Sequence, residues 1–547
     1  MAENSLMDDG AYDYIILGGG TAGCVLANRL TEDRRYKVLV LEAGGRDSNI
    51  WTRVPLGTGK MLTRNDIIFR YATEPIPELD NRSLFWPRGR MLGGSSSVNG
   101  SVYSRGDPTE FDHWRDLGNP GWGWADVLPY YRKLEDFPQG DPKYRGKGGP
   151  LPISEWPERD GLTEAFVGAC VQAGIPRTPD YNGREMEGVA YLQYNQRKGR
   201  RASTAYAYLN PARRRSNLVV ITNAQATRIL FEGKVATGVA YLHGGTQRTV
   251  RATREIIVSA GSVDSPKLLE LSGVGDAQRL RSLGIDVVNN LPGVGENLID
   301  HLQIRVNFQC TRPITFNDIH RSTLRKAMLG LKYLLLHRGL MATPLTTAHA
   351  LTRTRPDVPR PDVRLQLHHF SSADRTAYGK KIGLDPHSGF LFGIFQLKPE
   401  SRGWSHIRDR DATVAPAIQP NQFSHPTDVR VCIDAIQLAR RIASQPALQP
   451  FIVAEIRPGS AVTTEEDLKA YVRGSGVTSY HPIGTCKMGQ DPMAVVDAQL
   501  RVHGVHGLRV ADASIMPTMV ASNTNAPTIL IGERAAELIL ANARGKD

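Results

Sequence analysis

Two groups of residues in this 547-residue chain are of types and spacing that do chemistry. The first is Gly18-Gly19-Gly20-Thr21-Ala22-Gly23, which follows an apolar stretch at 12–17 and opens a breaker-free stretch at 24–30. A second apolar stretch at 37–41 runs into Glu42, Ala43 and Gly44. Read as strand, turn, helix, strand and acid, this is a dinucleotide-binding pattern. Gly18 permits a tight turn, Gly20 lets the backbone approach a pyrophosphate, and Gly23 lets helix and strand pack closely. The helix N-terminus offers free N–H groups and a positive dipole end to phosphates. The Glu42 carboxylate falls where it can accept from a ribose hydroxyl. An ordinary glycine-rich turn does not account for that acid.

The second group is His481 in the run Tyr480-His481-Pro482-Ile483-Gly484. Imidazole titrates near neutrality and suits the removal of a hydroxyl proton. The neighbouring Pro and Gly place it on a loop, where functional groups concentrate. Taken by itself, a His-Pro pair is more often structural than catalytic.

Several elements must position these groups. The segment WPRGRMLGGSSSVNGSVYSRG (86–106) is rich in small residues. Its Gly93, Gly94 and Ser96 either present N–H and hydroxyl donors to a cofactor or form a flexible loop. An apolar strand at 255–260 feeds GSVDSP (261–266), a turn that either packs or touches the nucleotide. A hairpin-like pair is joined at Glu232-Gly233, and a strand followed by a long helix pattern ends the chain.

A chain of this length exceeds one hydrophobic core, so more than one domain is expected. The net charge is +12. That charge either serves an anionic partner or surface, or reflects arginine scattered over a large surface; the second reading is preferred. The densest basic runs, 197–201 and 213–215, lack interleaved aromatics, so nucleic-acid binding is not expected. Five widely spaced cysteines and no Cys/His cluster support neither a disulfide framework nor a metal site, and a reducing, cytoplasmic setting is expected. No apolar run reaches membrane-spanning length, and the polar N-terminal residues carry no secretory pattern. The stretch LRKAMLGLKYLLLHRGL (324–340) is basic and amphipathic. It either rests on a membrane surface or, as expected here, turns its apolar side to the core.

Five segments together resemble the glucose–methanol–choline (GMC) oxidoreductases. They are GGGTAG with Glu42, GRMLGGSSSVN (89–99), GSVDSPKLLELSGVG (261–275), LPGVGENLIDH (291–301), and YHPIGTCKMG (480–489) with the following VADASIMP and ASNTNAPTILIGERAAELI. The resemblance covers nearly the whole chain. It implies an α/β chain (α+β overall): a doubly wound, Rossmann-like FAD-binding domain with a second, substrate-binding domain of antiparallel sheet and helices. The expected boundaries are 11–85, 210–310 and 490–545 for the first, and 86–209 and 311–489 for the cofactor-covering loop and the second.

The resemblance also implies residue roles. His481 matches the family's catalytic base, and Asn523 matches its His-or-Asn partner. Cofactor contacts fall on Gly18, Gly20, Thr21, Ala22, Gly23, Glu42, Ala43, Gly93, Gly94, Ser96, Asn99, Gly100, Ser101, Val102, Ala226, Asp512, Ala513 and Asn525. Some members join a His in the 89–99 loop covalently to the flavin; Val98 stands there, so the FAD is expected to be non-covalent. His301 is expected to be a packed structural residue. Tyr480 either lines the substrate pocket or packs as an aromatic, and His349, His368 and His369 are further pocket candidates. Choline-handling members carry a Glu in the substrate domain; Thr347 is placed there, which favours a neutral primary alcohol over choline. The segment NRSLFWPRGR (81–90) resembles alkyl-alcohol members and points the same way. The expected reaction is FAD-dependent oxidation of a primary alcohol to an aldehyde, with oxygen or a quinone as final acceptor. The alternatives are choline as substrate and a non-oxidative flavoenzyme.

Overall fold

The structure is a computed structural model that describes residues 10–374 and 383–545. Two sheets organise it, each set by the residue pattern of its strands. In the first, Leu218–Thr222, Val38–Glu42, Tyr12–Leu17, the end of Thr246–Val258 and Leu508–Val510 lie parallel, in that order. These strands are near-continuous Val, Ile and Leu because helices cover their faces, as parallel sheets require. The helix Thr21–Leu30 and the C-terminal helix Asn525–Ala543 pack on one another against this sheet. The strand Thr246–Val258 is long enough to serve twice. Its second half pairs with Tyr12–Leu17, and its first half joins an antiparallel layer with Val235–His243 and Ala224–Glu232. The expected hairpin at Glu232-Gly233 is in that layer.

The second sheet is antiparallel, in the order Ile452–Arg457, Leu302–Cys310, Gly389–Gln396, Val363–His368, Thr346–Thr352 and Gly188–Tyr191. Successive side chains alternate between its faces. Ile304, Val306, Leu365, Leu367, Phe392 and Ile394 turn to a core shared with the helices Gly161–Gln172 and Pro426–Ala443. Gln303, Arg305, Gln366, His368 and Phe395 turn the other way, into the large cavity. Leu302–Cys310 hydrogen-bonds into this second sheet, so the chain does not divide at 310 as expected.

The amphipathic stretch also departs from expectation. It forms the helix Thr323–Leu336, and only Tyr333 in it is buried. Its leucine face does not turn to the core. The N-terminal methionine-to-aspartate residues 1–9 lie outside the described residues. All five cysteines are buried and free. Among the described residues no helix is long and apolar enough to cross a membrane.

Candidate active site

One cavity of about 1130 Å³ runs from the glycine turn to the second sheet. The helix Thr21–Leu30 starts at its wall with no side-chain cap on Gly20, so its first N–H groups remain available. Gly23 is obligatory for close packing, because a Cβ there would sit 2.0 Å from the Gly18 carbonyl oxygen. The Glu42 carboxylate accepts from the Gly19 and Gly44 N–H groups, each at 2.8 Å. Burial pushes its pKa up to about 7, against those two hydrogen bonds. Each oxygen keeps a second lone pair for a hydroxyl donor.

Gly18, Gly20, Thr21, Ala22, Glu42, Ala43, Gly94, Asn99, Gly100, Ser101, Val102, Ala226, Asp512, Ala513 and Asn525 all line the cavity. Gly23, Gly93 and Ser96 do not. Gly93 ties the loop to the glycine turn, its N–H donating to the Gly19 carbonyl at 2.7 Å. Ser96 is occupied by the Gly93 carbonyl and by Thr204, at 2.6 and 2.9 Å. These residues shape the cradle from behind. A Cβ on Gly94 would sit 2.8 Å from the Gly20 Cα, so glycine there lets the loop close over the turn. The 261–266 turn is a wall of the cavity rather than packing alone.

The residues fit FAD on three further counts. The C-terminal helix begins at the cavity with Thr524 at its N-cap and no side-chain hydrogen bond there, so its first N–H groups remain available. The buried Asn525 Nδ2 has no hydrogen-bond partner among the described residues, a donor suited to a ring or phosphate oxygen. Val98 lines the cavity at the flavin-covering loop and offers no nucleophile for a covalent link.

At the far end His481 is held by three neighbours, Asp300, His301 and Asn523. Its backbone N–H donates to Asp300 Oδ1 at 2.7 Å, and Asp300 also accepts from the Thr478 hydroxyl. Burial pushes the Asp300 carboxyl up to about 6, against those hydrogen bonds. Its Nδ1 is 3.0 Å from His301 Nδ1, and its Nε2 is 2.9 Å from Asn523 Nδ2.

These contacts determine the tautomers. His301 Nε2 is 3.1 Å from the Leu397 carbonyl, which only accepts, so the His301 proton is on Nε2 and its Nδ1 accepts. His481 Nδ1 must therefore carry the proton, which leaves a lone pair on Nε2. The other side agrees. Arg364 Nη1 donates to Asn523 Oδ1, which turns the amide so that Nδ2–H donates to His481 Nε2. In the amide orientation that satisfies both, the Gln366 carbonyl accepts from Arg364 Nε and Nη2 at 3.0 and 3.1 Å.

Burial holds His481 well below the ordinary imidazole pKa, and His301, Arg364 and Arg88 lower it further. Burial likewise lowers His301 to about 4 and Arg364 to about 10. The site thus contains a neutral imidazole whose Nε2 lone pair, on the cavity wall, accepts from Asn523 Nδ2–H.

His301 is not the packed bystander that was expected. It sits behind the His481 ring and fixes its tautomer. Arg364 gave no sequence signal beyond its parity with Gln366 and His368 on one strand.

Thr347 does not line the pocket. Neighbouring side chains on the strand Thr346–Thr352 face opposite ways, and it is Thr346 that lines the cavity. Thr347 instead bonds Thr163 and His369 Nε2 at 2.7 and 2.9 Å. Tyr480 and His368 line the cavity. His349 is buried with its ring edge-on to Tyr181 at 4.2 Å. Among the described residues no cluster of His, Cys, Asp or Glu is arranged to hold a metal ion.

Comparison with known proteins identifies the family. Two GMC oxidoreductase family models match residues 12–303 and 399–532. The chain is 42% identical over 537 residues to mitochondrial choline dehydrogenase of Mus musculus, covering 96% of this chain and 89% of that one. It is 41% identical to the oxygen-dependent choline dehydrogenase of Photobacterium profundum, with 97% and 93% covered. Among solved structures, pyridoxine 4-oxidase from Mesorbium loti superposes with a TM-score of 0.86 at 30% identity, covering 96% and 98%. With FAD as its cofactor and CH–OH donors as its substrates, the chain belongs to the GMC oxidoreductase family.

Proposed function

We propose that the protein oxidises a non-cationic primary alcohol to the aldehyde, with His481 Nε2 taking the hydroxyl proton. The observation that carries this reading is the chain Leu397–His301–His481–Asn523–Arg364, which leaves the Nε2 lone pair at the cavity wall. Bound FAD supplies the acceptor for the hydride that leaves the carbinol carbon. Asn523 Nδ2–H can pass from Nε2 to the alcohol oxygen and hold it beside the base. An amide takes no proton at neutral pH, so His481 is the sole base of the pair. The Asp300 carboxylate anchors the His481 backbone and fixes where the ring stands.

The substrate end supports a neutral rather than a quaternary ammonium substrate. Gln303, Arg305, Gln366, His368, Phe370 and Phe395 are on its wall. Among the described residues the acids on the cavity wall are Glu42, Asp264 and Asp512. Each is engaged elsewhere: Glu42 by backbone amides, Asp264 by the Tyr71 hydroxyl, Asp512 by the Gly261 N–H. A cationic headgroup is favoured by a nearby carboxylate, and beside Phe370 and Phe395 this wall instead carries the like charge of Arg305. Choline is the second reading, favoured by the names of the relatives at 41–42% identity.

Anaerobic mixing of the holoenzyme with choline, aliphatic alcohols and benzyl alcohol separates the two. Rapid bleaching of the flavin by a neutral alcohol and not by choline is expected. Bleaching by choline alone would reverse the substrate assignment, and bleaching by none would favour non-oxidative chemistry.

A further inference from the structure

The helix Thr323–Leu336 exposes an apolar face that nothing among the described residues covers. Leu324, Met328, Leu331 and Leu335 follow the spacing of a single helix face, and they are 70%, 61%, 57% and 71% exposed. Tyr333, on the opposite side, anchors the helix against Trp156, Tyr194 and Ala342. A monomeric soluble protein seldom leaves such a contiguous patch open without using it.

The charges around the patch say what covers it. Segment 321–340 contains no acid; of its cations, Arg321 and Lys332 pair with Asp318 and Glu158 at 2.9 and 3.1 Å, Lys326 is on the cavity side, and Arg325 and Arg338 are exposed. The basic turn 197–201 sits beside the C-terminal end of the helix. There the Tyr333 hydroxyl donates to the Gly199 carbonyl at 3.2 Å, and Arg200 Nη2 is 2.7 Å from His337 Nε2. Arg197, Lys198 and Arg200 are exposed. A leucine-rich face rimmed by cations is the pattern of a helix lying in the interface of an anionic bilayer. A second copy of the chain is a poorer occupant, because a two-fold contact through this face would set two acid-free basic helices against each other.

We propose that the helix Thr323–Leu336 docks the enzyme on an anionic phospholipid surface. The docking also orients the cavity. Lys326 and Leu329, on the inner side of the same helix, and Phe316 and Ile319 just before it form part of the cavity wall. Docking therefore sets that wall against the lipid surface, where molecules dissolved in the bilayer are concentrated. The proposal does not depend on which alcohol is oxidised.

The test is co-sedimentation of the FAD-loaded enzyme with phosphatidylcholine vesicles, with and without phosphatidylglycerol. Leu331→Glu/Leu335→Glu, outside the cavity wall, is run beside the wild type. Its flavin absorbance and its turnover with a soluble dye acceptor check that it is folded. The wild type should sediment with the phosphatidylglycerol vesicles and less so in high salt. The double variant should lose at least about tenfold of that binding, as expected when two leucines can no longer be buried. Wild type remaining in the supernatant would overturn the proposal, and so would equal sedimentation of the variant. A lipid-free dimer that the variant dissolves would overturn it in favour of self-association.

Discussion

His301 Nδ1 lies 3.0 Å from His481 Nδ1, and only one of the two nitrogens can carry the proton between them. The Leu397 carbonyl behind His301 decides which. This places the lone pair of the His481 imidazole on the far nitrogen, at the cavity wall, where Asn523 Nδ2–H donates to it. In the proposed reaction, His301, buried behind His481, determines which nitrogen can take the proton.

His301→Phe removes the acceptor for the His481 Nδ1 proton. Loss of a buried hydrogen bond of this kind costs about 1–3 kcal/mol, so kcat/KM should fall roughly 10- to 100-fold. His301 also lowers the His481 pKa, so without it the acid limb of the pH profile should move up toward the ordinary imidazole range. A role in packing alone would reduce the rate and leave the limb in place. His301→Gln, which retains a hydrogen-bonding group there, should restore part of the rate.

Asn523→Asp sets a carboxylate beside His481 Nε2 in place of an amide donor. An adjacent anion favours imidazolium, so the base should be protonated at neutral pH and lost. About a 10²-fold fall in kcat/KM is expected near neutrality, within the range for general-base catalysis, with partial recovery at higher pH. A pH–rate series checks this; an unchanged profile would separate Asn523 from the base.

The flavin should leave the polypeptide on acid precipitation. Val98 occupies the loop position from which a histidine links the flavin in some members, and a valine side chain forms no such bond. Yellow colour in the supernatant is the expected result. Flavin retained in the pellet would show a covalent link from another residue.

His349 provides a direct check on the buried histidines. Neither ring nitrogen has a hydrogen-bond partner among the described residues, and burial, with Arg364 nearby, holds its pKa well below the usual value. A histidine depressed in the folded state stabilises fully above its unfolded pKa near 6.5 and loses that stability as pH falls below it. His349→Phe removes this dependence. The urea midpoint of the variant should gain on the wild type as pH drops below about 6.5, by up to ~1.4 kcal/mol per pH unit. A constant difference between the two would mean that His349 titrates normally.

Much of the cofactor side was legible because it is local. The turn at Gly18–Gly23, the strand ending in Glu42 and the C-terminal helix are each encoded by contiguous residues, and the structure forms them where the pattern puts them. The misses came from long-range or parity effects. His301 is 180 residues from His481, so their pairing has no local signature. Arg364 reaches Asn523 from the second sheet, 159 residues away. Thr347 was placed by resemblance to family members one residue away from Thr346, and one residue along a strand is enough to turn a side chain to the other face. Gly93 and Ser96 belong to the right loop but support it from the side away from the cavity. The helix Thr323–Leu336 has the periodicity of a core helix, and periodicity alone does not say whether anything covers the apolar side.

The central claim is that His481 Nε2 removes the alcohol proton. It is tested most directly by the rate of anaerobic flavin reduction in His481→Ala, measured by rapid mixing with the alcohol that bleaches the wild type. The account predicts a fall of about 10²- to 10⁴-fold with FAD content unchanged. A rate near that of the wild type in a fully FAD-loaded variant would contradict it.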